Sequence, residues 1–464
     1  MLFNTASFFL FLTVVLALFY LSPRVLRRYI LLAASYFFYG SWNVKFIALL
    51  LTLTVIDYTA GLWIERTQPG ARRKWLLIGS LSANLGFLGF FKYYNFLANN
   101  LALLIGKPEG SFFLSIVLPL GISFHTFQSM SYVIDVYRGQ QKAVRDPINY
   151  ALFICFFPQL VAGPIVRARD FFRDLLDWHP PAGADVAEGM FLLMLGLTKK
   201  MAFADQFAKL ANGYFGDMAS APGWHAAWSA MIAFSMQIYF DFSGYTDMAI
   251  GMAKLLGFHF PVNFRRPYLA SSITDFWRRW HISLSTWLRD YLYISLGGNR
   301  KGRWMTYRNL MLTMLLGGLW HGASWNFLIW GGYHGGWLAV ERFLRGDRPL
   351  REQWTWYYPF QAIGTFVLVT IGWVFFRAAT LTQSVEVLHR MVSGPAGHSL
   401  LKPWHVGLIL LALLIAIFEE KFEWFERLMR APALAYATSM ALMFFCLELF
   451  GVIDAQIPFI YFQF

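Results

Sequence analysis

The sequence predicts an all-α polytopic membrane protein, and three observations support that fold class. Only 14% of the 464 residues are charged and 57% are hydrophobic, whereas a soluble domain has roughly 25% charged residues. Apolar segments recur from one end of the chain to the other. The basic residues fall in short loops between these segments, which is the distribution that the positive-inside rule describes.

The composition also argues against several other classes of protein. The net charge is +13. This charge does not indicate nucleic-acid binding, because the basic residues of the chain flank apolar segments instead of forming one patch. The two cysteines, Cys155 and Cys446, lie in apolar stretches and give neither a disulfide framework nor the spacing of metal ligands. The chain has no Walker A loop, no H-E-x-x-H motif and no G-x-S-x-G elbow.

The apolar segments predict about 11 membrane spans, since one span takes roughly 20 residues. The segments are 4–21, 29–39, 46–63, 75–91, 111–136, 188–207, 228–256, 309–319, 325–340, 360–376, 406–418 and 433–452. Residues 150–162 are too few to span and contain Pro158, which predicts a re-entrant element. Residues 170–178 mix apolar and charged side chains and are expected to lie in the membrane interface.

We expect one membrane domain over residues 1–464, with its core motifs between residues 230 and 345. The first apolar segment has no basic residue before it, and its flanking arginines, Arg24, Arg27 and Arg28, follow it. That charge distribution predicts an uncleaved span whose N-terminus lies outside.

His321 is the first candidate catalytic residue, because it lies in an otherwise uncharged apolar run. Ionisable groups at membrane depth are functional candidates, and imidazole suits the role of a general base. The run L-L-G-G-L-W-H-G-A-S-W-N-F surrounds the histidine with large tryptophans and small glycines. These residues would let another backbone or a thin substrate approach it. The alternative is a histidine that only packs between helices.

His281 is the second candidate and lies in F-W-R-R-W-H-I-S-L-S-T-W-L-R-D-Y. On a continuous helix, one face would carry Trp277, His281, Leu284 and Leu288. A buried histidine between tryptophans, with arginines nearby, suits an anionic or thioester-bearing ligand. The alternative is an interfacial helix whose arginines reach toward the membrane surface.

Other polar residues are expected to support the candidate site or to bind its ligands. Asp241 and Asp247 lie in an apolar span and are expected to pair with Arg or Lys of the basic stretch 257–308. Asn263 and Arg265 belong to a cationic loop that either binds a phosphate-bearing donor or contacts lipid headgroups. The candidate binding residues are Trp277, Arg278, Trp280, Arg289, Asn263, Arg265, Trp320, Trp325 and Asn326. No metal is expected, and His125 and His334 are expected to pack or to support the site.

These motifs resemble the membrane-bound O-acyltransferase family, most closely the bacterial branch that contains alginate O-acetyltransferases. The matching stretches include F-H-T-F-Q-S-M-S-Y-V-I-D-V-Y-R-G, F-F-P-Q-L-V-A-G-P-I-V-R, Q-I-Y-F-D-F-S-G-Y-T-D-M-A-I-G, N-F-R-R-P-Y, D-F-W-R-R-W-H, G-G-L-W-H-G-A-S-W-N-F and the final P-F-I-Y-F-Q-F. They are spread over most of the chain and are specific as a set.

The resemblance implies a ring of transmembrane and re-entrant helices around a central tunnel. It maps the signature family histidine onto His321 and the second family histidine onto His281. It further implies a cytosolic acyl donor, acetyl-CoA, with no bound cofactor. Expected partners are a periplasmic SGNH-type acetyltransferase, the polysaccharide synthesis and export machinery, and membrane lipid, but no nucleic acid.

The expected function is acetyl transfer to the periplasmic side for O-acetylation of an exported polysaccharide of the alginate or cellulose type. Peptidoglycan O-acetylation and D-alanyl transfer are alternatives within the same fold. A transporter or flippase, in which the histidines and aspartates relay protons, is the alternative from another class. The absence of a visible internal repeat argues mildly against a transporter.

Overall fold

All regular structure in the described part of the chain is helical. The computed structural model describes residues 1–161, 163–346, 355–452 and 457–462, and each of its regular elements is an α-helix or a short 3₁₀ or π turn. The predicted all-α fold class is therefore confirmed.

The chain divides into two compact units. The first contains Met1–Met190 and Ala249–Pro261, and the second contains Phe191–Met248 and Val262–Phe464. The single membrane domain expected over residues 1–464 stays a prediction.

Within its described residues, the first unit contains nine complete helices, the beginning of a tenth and the last turns of α12 (Trp224–Leu255). The first ten are α1 (Ala6–Leu21), α2 (Arg24–Asn43), α3 (Lys45–Arg66), α4 (Ala71–Leu88), α5 (Tyr94–Leu104), α6 (Ile122–Tyr137), α7 (Pro147–Cys155), α8 (Phe157–Leu160), α9 (Ala168–Leu176) and the first part of α10 (Gly183–Thr198). A π turn, Gly89–Tyr93, joins α4 to α5. Helix α2 is longer than the predicted segment 29–39, because it begins directly after Pro23 and takes the neighbouring arginines into its first turns.

Helices α3, α4 and α6 pack together around a buried carboxylate. Asp57 of α3 is fully buried and accepts hydrogen bonds from Ser80 Oγ at 2.5 Å and Asn84 Nδ2 at 2.9 Å, both on α4. Gly61 lets α3 approach α6, since a Cβ at that position would lie 2.8 Å from the Tyr132 ring. A polar side chain inside an apolar helix is thus satisfied by its neighbours, as buried polar groups generally are.

The predicted span 111–136 is wrong over its first half. Residues 115–119 form no helix, and α6 begins only at Ile122. The cause is Gly121, which has a φ of 67° and so cannot continue a right-handed helix through this point. A side chain on Gly121 would also collide with the backbone oxygen of Leu160.

The segment predicted to be re-entrant forms two short helices, α7 and α8, which are separated at Phe156. Phe156 has a ψ of 113°, outside the helical range, and Pro158 follows it in the first turn of α8. Ala162, the last residue of that prediction, lies outside the described residues. The position of this segment relative to the bilayer stays a prediction.

The second unit contains the remaining helices among the described residues. They are the end of α10, α11 (Asp205–Gly216), α12 (Trp224–Leu255, whose last turns belong to the first unit), α13 (Ile273–Arg279), α14 (Ile282–Trp287), α15 (Arg303–His321), α16 (Trp325–Arg345), α17 (Tyr358–Arg377), α18 (Leu381–Ser393), α19 (Pro403–Phe422), α20 (Trp424–Met429) and α21 (Ala433–Phe450). A π turn, Lys199–Ala204, joins α10 to α11. Helix α18 was not expected from the apolar pattern, because it is short and largely polar on one side.

Helices α15 and α16 of the second unit cross at close range. A Cβ on Gly318 would collide with the backbone oxygen of Phe327, and a Cβ on Gly331 would collide with that of Met314. Such small residues let two backbones approach closely in a membrane protein. The crossing is important for the site because His321 is the last residue of α15.

Four helical stretches in the described chain are long and apolar enough to cross a membrane. They are Lys45–Arg66, Ala71–Leu104, Tyr358–Arg377 and Ala433–Phe450. Several other helices are shorter or carry more polar residues, as α12 does with Asp241 and Asp247. The predicted total of about 11 spans stays a prediction.

Candidate active site

The candidate site begins at a break in the helical backbone between α13 and α14. Helix α13 ends at Arg279, and His281 adopts a left-handed conformation with φ 43° and ψ 55° before α14 starts at Ile282. The predicted continuous helix, with Trp277, His281 and Leu284 on one face, is therefore wrong. A left-handed conformation at a non-glycine residue costs on the order of 1–3 kcal/mol, so surrounding contacts must hold it.

Asn263 supplies those contacts. Its Oδ1 atom accepts hydrogen bonds from the Ser283 amide at 3.1 Å and the Ser283 hydroxyl at 2.9 Å, and it lies 3.3 Å from His281 Nδ1. The Ile282 amide donates to the backbone oxygen of Asn263 at 2.9 Å. Because Oδ1 already accepts from a backbone amide, the geometry favours a proton on His281 Nδ1. The opposite nitrogen, Nε2, is then the basic one in a neutral ring.

His321 lies at the C-terminal end of α15 and is 5% exposed. Its ring centroid is 4.9 Å from that of Trp320, 5.1 Å from that of Trp330 and 5.3 Å from that of Phe376. Helices α15, α16 and α17 therefore all contribute to its surroundings. Gly322 ends the helix and must be small, because a Cβ there would overlap the Phe327 ring.

The two histidines share aromatic neighbours. The Trp320 ring lies 6.3 Å from the His281 ring and also contacts His321. On another side, the Phe242 ring is 4.7 Å from the His281 ring and 4.5 Å from the Tyr461 ring, which is in turn 5.7 Å from the His321 ring. The structure thus brings both predicted catalytic residues into one aromatic environment.

Four of the predicted binding residues belong to the same environment. Asn263 and Trp320 contact His281 directly. Trp277 packs on Trp330, the neighbour of His321, at 5.7 Å. Trp280 is 1% exposed and packs edge-to-face on Phe264 at 5.1 Å. Their roles in binding stay predictions.

The other predicted binding residues point elsewhere. Arg265, Arg278, Arg289 and Trp325 are exposed at the surface of the unit. Asn326 is buried, but its side chain donates to the Ala378 backbone oxygen at 2.8 Å and accepts from the Ser384 hydroxyl at 3.3 Å. The structure therefore places these five away from the aromatic contacts of the two histidines.

The buried aspartates have different partners from those expected. Asp241 pairs with Lys200 at 2.9 Å and Asp247 pairs with Lys199 at 2.5 Å. Both lysines come from the π turn after α10 and not from the basic stretch 257–308, so the predicted source of the partners is wrong. Within that basic stretch, Arg266 instead pairs with Glu419 and Glu420 of α19.

Two further features of the site concern His334 and the end of the chain. His334 is fully buried on α16 and packs against Trp330 at 5.0 Å and Trp277 at 5.2 Å, as expected of a packing residue. Tyr461 was not among the site residues predicted from the sequence. The high density of aromatic residues in P-F-I-Y-F-Q-F was the one feature of the sequence that could have indicated its role.

A neutral imidazole can accept a proton from a hydroxyl group. Among the described residues, no three His, Cys, Asp or Glu side chains are grouped so that they could hold a metal ion.

Comparison with known proteins gives a family and several relatives. A model of the membrane-bound O-acyltransferase family matches residues 83–382, a range that includes both histidines. The chain is 48% identical over 400 residues to the probable alginate O-acetylase AlgI of Azotobacter vinelandii, which covers 83% of this chain and 76% of that protein.

Two more relatives are named for O-acetylation of two different polymers. The chain is 46% identical over 423 residues to the probable alginate O-acetylase AlgI of Pseudomonas aeruginosa, covering 88% of this chain and 79% of that protein. It is 41% identical over 389 residues to the peptidoglycan O-acetyltransferase of Helicobacter pylori, covering 78% of this chain and 73% of that protein.

Proposed function

The chain belongs to the membrane-bound O-acyltransferase family, and we propose that it moves an acetyl group from a cytosolic donor to the periplasmic side for O-acetylation of an exported polysaccharide. The observation that carries this proposal is His321, a buried histidine that ends helix α15 within the family region and lies in an aromatic environment shared with His281. Named relatives that are alginate O-acetylases support the acetyl group and the class of polymer.

His321 acts in this proposal as the general base. It takes a proton from the acceptor hydroxyl as that oxygen attacks the acetyl carbonyl, and a positioned base of this kind contributes about 10²- to 10⁴-fold in rate. The attacked thioester releases CoA as the leaving thiol. His281 orients a substrate or, when protonated, stabilises negative charge on the carbonyl oxygen.

We further propose acetyl-CoA as the donor and a periplasmic SGNH-type transferase as the partner that completes delivery to the polymer. The exposed arginines Arg265, Arg278 and Arg289 suit the phosphates of such a donor. The chain would lie in a bacterial inner membrane with its N-terminus in the periplasm, which agrees with the arginines that follow α1.

A second candidate function is O-acetylation of peptidoglycan. It is favoured by the 41% identity to the Helicobacter pylori peptidoglycan O-acetyltransferase. D-Alanyl transfer has weaker support, since the teichoic acid D-alanyltransferase of Bacillus subtilis is 33% identical over 46% of this chain. The transporter alternative is less favoured, because Asp241 and Asp247 are already engaged in ion pairs with lysines.

The proposal is tested by the acetyl content of polymers from cells that carry this chain as their only enzyme of the family. We expect acetate to be released by mild base from the exported polysaccharide, and that acetate to disappear when the chain is deleted. Acetate found on peptidoglycan alone would support the second candidate, and no change in either polymer would overturn both.

The contacts of Asn263 give a prediction for the role of His281. In an Asn263→Ala protein, His281 and Ser283 both lose the Oδ1 acceptor that holds the left-handed turn. We expect kcat for acetyl transfer to fall by about 10- to 100-fold, because misplacing a reacting group by about 1 Å has effects of that size.

Asn309→Ala is the matched control, since Asn309 is also fully buried in the second unit and its side chain donates to the Gly298 oxygen at 2.8 Å. Both variants should lose thermal stability, but only Asn263→Ala should lose most of its activity. Equal loss of activity in the two variants would mean that Asn263 contributes to folding and not to the geometry of His281.

A further inference from the structure

The second unit contains a buried cluster of three charged side chains. Lys200 lies in the π turn Lys199–Ala204, and its Nζ atom is 2.7 Å from Asp205 Oδ1 and 2.9 Å from Asp241 Oδ1. All three residues are 2% exposed or less. Burying ions costs several kcal/mol each unless every charge is well paired, so such a cluster needs a reason beyond helix packing.

The cluster also binds the backbone of the C-terminal segment Ile457–Tyr461. Lys200 Nζ donates to the Ile457 backbone oxygen at 3.0 Å. The Ile460 amide donates to Asp241 Oδ2 at 2.7 Å. The Lys200 ammonium thus binds a hydrogen-bond acceptor of the segment, and the Asp241 carboxylate binds a donor. Hydrogen bonds to charged groups are stronger than those between neutral groups. These contacts hold the segment through its backbone and leave its side chains to face other residues.

The side chains of this segment reach the candidate active site. The Phe459 ring packs on the Tyr245 ring at 4.5 Å, and the Tyr461 ring packs on the Phe242 ring at the same distance. The Tyr461 ring also lies 5.7 Å from the His321 ring. The segment therefore forms part of the aromatic surroundings of His321, and the charged cluster holds its backbone at Ile457 and Ile460.

We propose that Lys200 and Asp241 are positioning residues that hold the C-terminal segment Ile457–Tyr461 in place beside His321 and thereby set the geometry of acyl transfer. The inference rests on the proposed function, because it assigns a role in the same reaction. Neither residue touches the reacting atoms, and each acts through the backbone of the segment.

A neighbouring ion pair provides a built-in comparison. Lys199 lies in the same π turn, and it pairs at 2.5 Å with Asp247, which is on α12 like Asp241. Among the described residues, Lys199 and Asp247 make no hydrogen bond to the segment. If the only role of these pairs were to hold α12 against the π turn, replacing either aspartate should have similar effects.

The first test compares Asp241→Leu with Asp247→Leu. Asp241→Leu removes the acceptor of the Ile460 amide but leaves Lys200 paired with Asp205. We expect kcat to fall at least about tenfold while KM for the donor changes less than about twofold. Asp247→Leu should keep kcat within about threefold of the wild type. Asp241→Asn, which keeps a side-chain oxygen for the amide, should recover part of the loss.

The second test measures the position of the segment without any activity. Cys155 and Cys446 are replaced by alanine, and Ile460, which is 1% exposed, is replaced by cysteine. In detergent, a maleimide should label Ile460→Cys slowly, faster by at least about tenfold when Asp241→Leu is added, and at the original rate when Asp247→Leu is added.

The proposal is overturned if Asp241→Leu and Asp247→Leu give the same kcat and the same labelling rate. Should Asp241→Leu fail to fold, Asp241→Asn and a chain ending before Ile457 replace it, and unchanged activity in the truncated chain would equally overturn the proposal. Failure of the proposed function is distinguishable, because wild-type protein would then transfer no acetyl group while the labelling rates would still respond to Asp241→Leu.

Discussion

Replacing His321 with alanine should lower acetyl transfer by about 10²- to 10⁴-fold, the contribution of a positioned general base. The expectation follows from the burial of the ring at the end of α15 and from its shared surroundings with His281. The measurement is the rate of transfer from labelled donor by purified protein, with thermal stability recorded in parallel. His321→Gln should be nearly as inactive, since glutamine keeps polarity but not basicity.

His405→Gln is the control for this prediction. His405 is also a buried histidine of the second unit, and its Nδ1 accepts a hydrogen bond from the Lys402 amide at 3.1 Å. A glutamine oxygen can take over that role, so activity should stay within about twofold of the wild type. Retention of full activity by well-folded His321→Ala protein would remove His321 from the mechanism.

Replacing Gly331 with valine should cause a large loss of stability. The new Cβ would collide with the backbone oxygen of Met314, and a backbone atom cannot move aside as the end of a side chain can. Overpacking of this kind costs about 1–3 kcal/mol or more. We expect a lower melting temperature in detergent and reduced activity, because the same crossing holds His321.

Gly336→Val tests whether the loss of stability in Gly331→Val is caused by the collision at the crossing of α15 and α16. Gly336 lies on the same helix, α16, but an added Cβ there would meet no atom within 4 Å. The change in helix propensity from glycine to valine is the same at both positions. Equal melting temperatures for the two variants would show that the close approach of α15 and α16 does not limit stability.

The fold class could be predicted from the sequence because it depends on composition. The two candidate histidines could be selected because each lies in a distinctive local motif. The resemblance to membrane-bound O-acyltransferases is confirmed by the family match over residues 83–382. His281 and His321 were each selected from their immediate neighbours in the chain. Their common aromatic surroundings agree with that selection, while their catalytic roles stay predictions.

The helix break at His281 could not be predicted in the same way. The sequence W-R-R-W-H-I-S contains no Gly or Pro that would signal the end of a helix. The left-handed turn depends on Asn263, whose side chain takes the Ser283 amide that a continuous helix would have used. A tertiary contact thus overrode the local helical pattern.

The contacts of the C-terminal segment were missed for a related reason. The hydrogen bond from Ile460 to Asp241 joins residues 219 positions apart, and no periodicity reports such a contact. Asp241 and Asp247 were correctly expected to need cations, because isolated acids in apolar helices are costly. The identity of the lysines that pair with these aspartates depends on how the π turn packs against α12, which the sequence alone does not reveal.

The central claim is tested most directly by incubating the purified protein in detergent with radiolabelled acetyl-CoA, with and without a candidate periplasmic partner. We predict that label leaves CoA in the wild type, appears on the partner or polymer, and stays on CoA with His321→Ala. If the wild type never consumes acetyl-CoA with any acceptor, the donor and the reaction are both contradicted, and the transporter alternative takes their place.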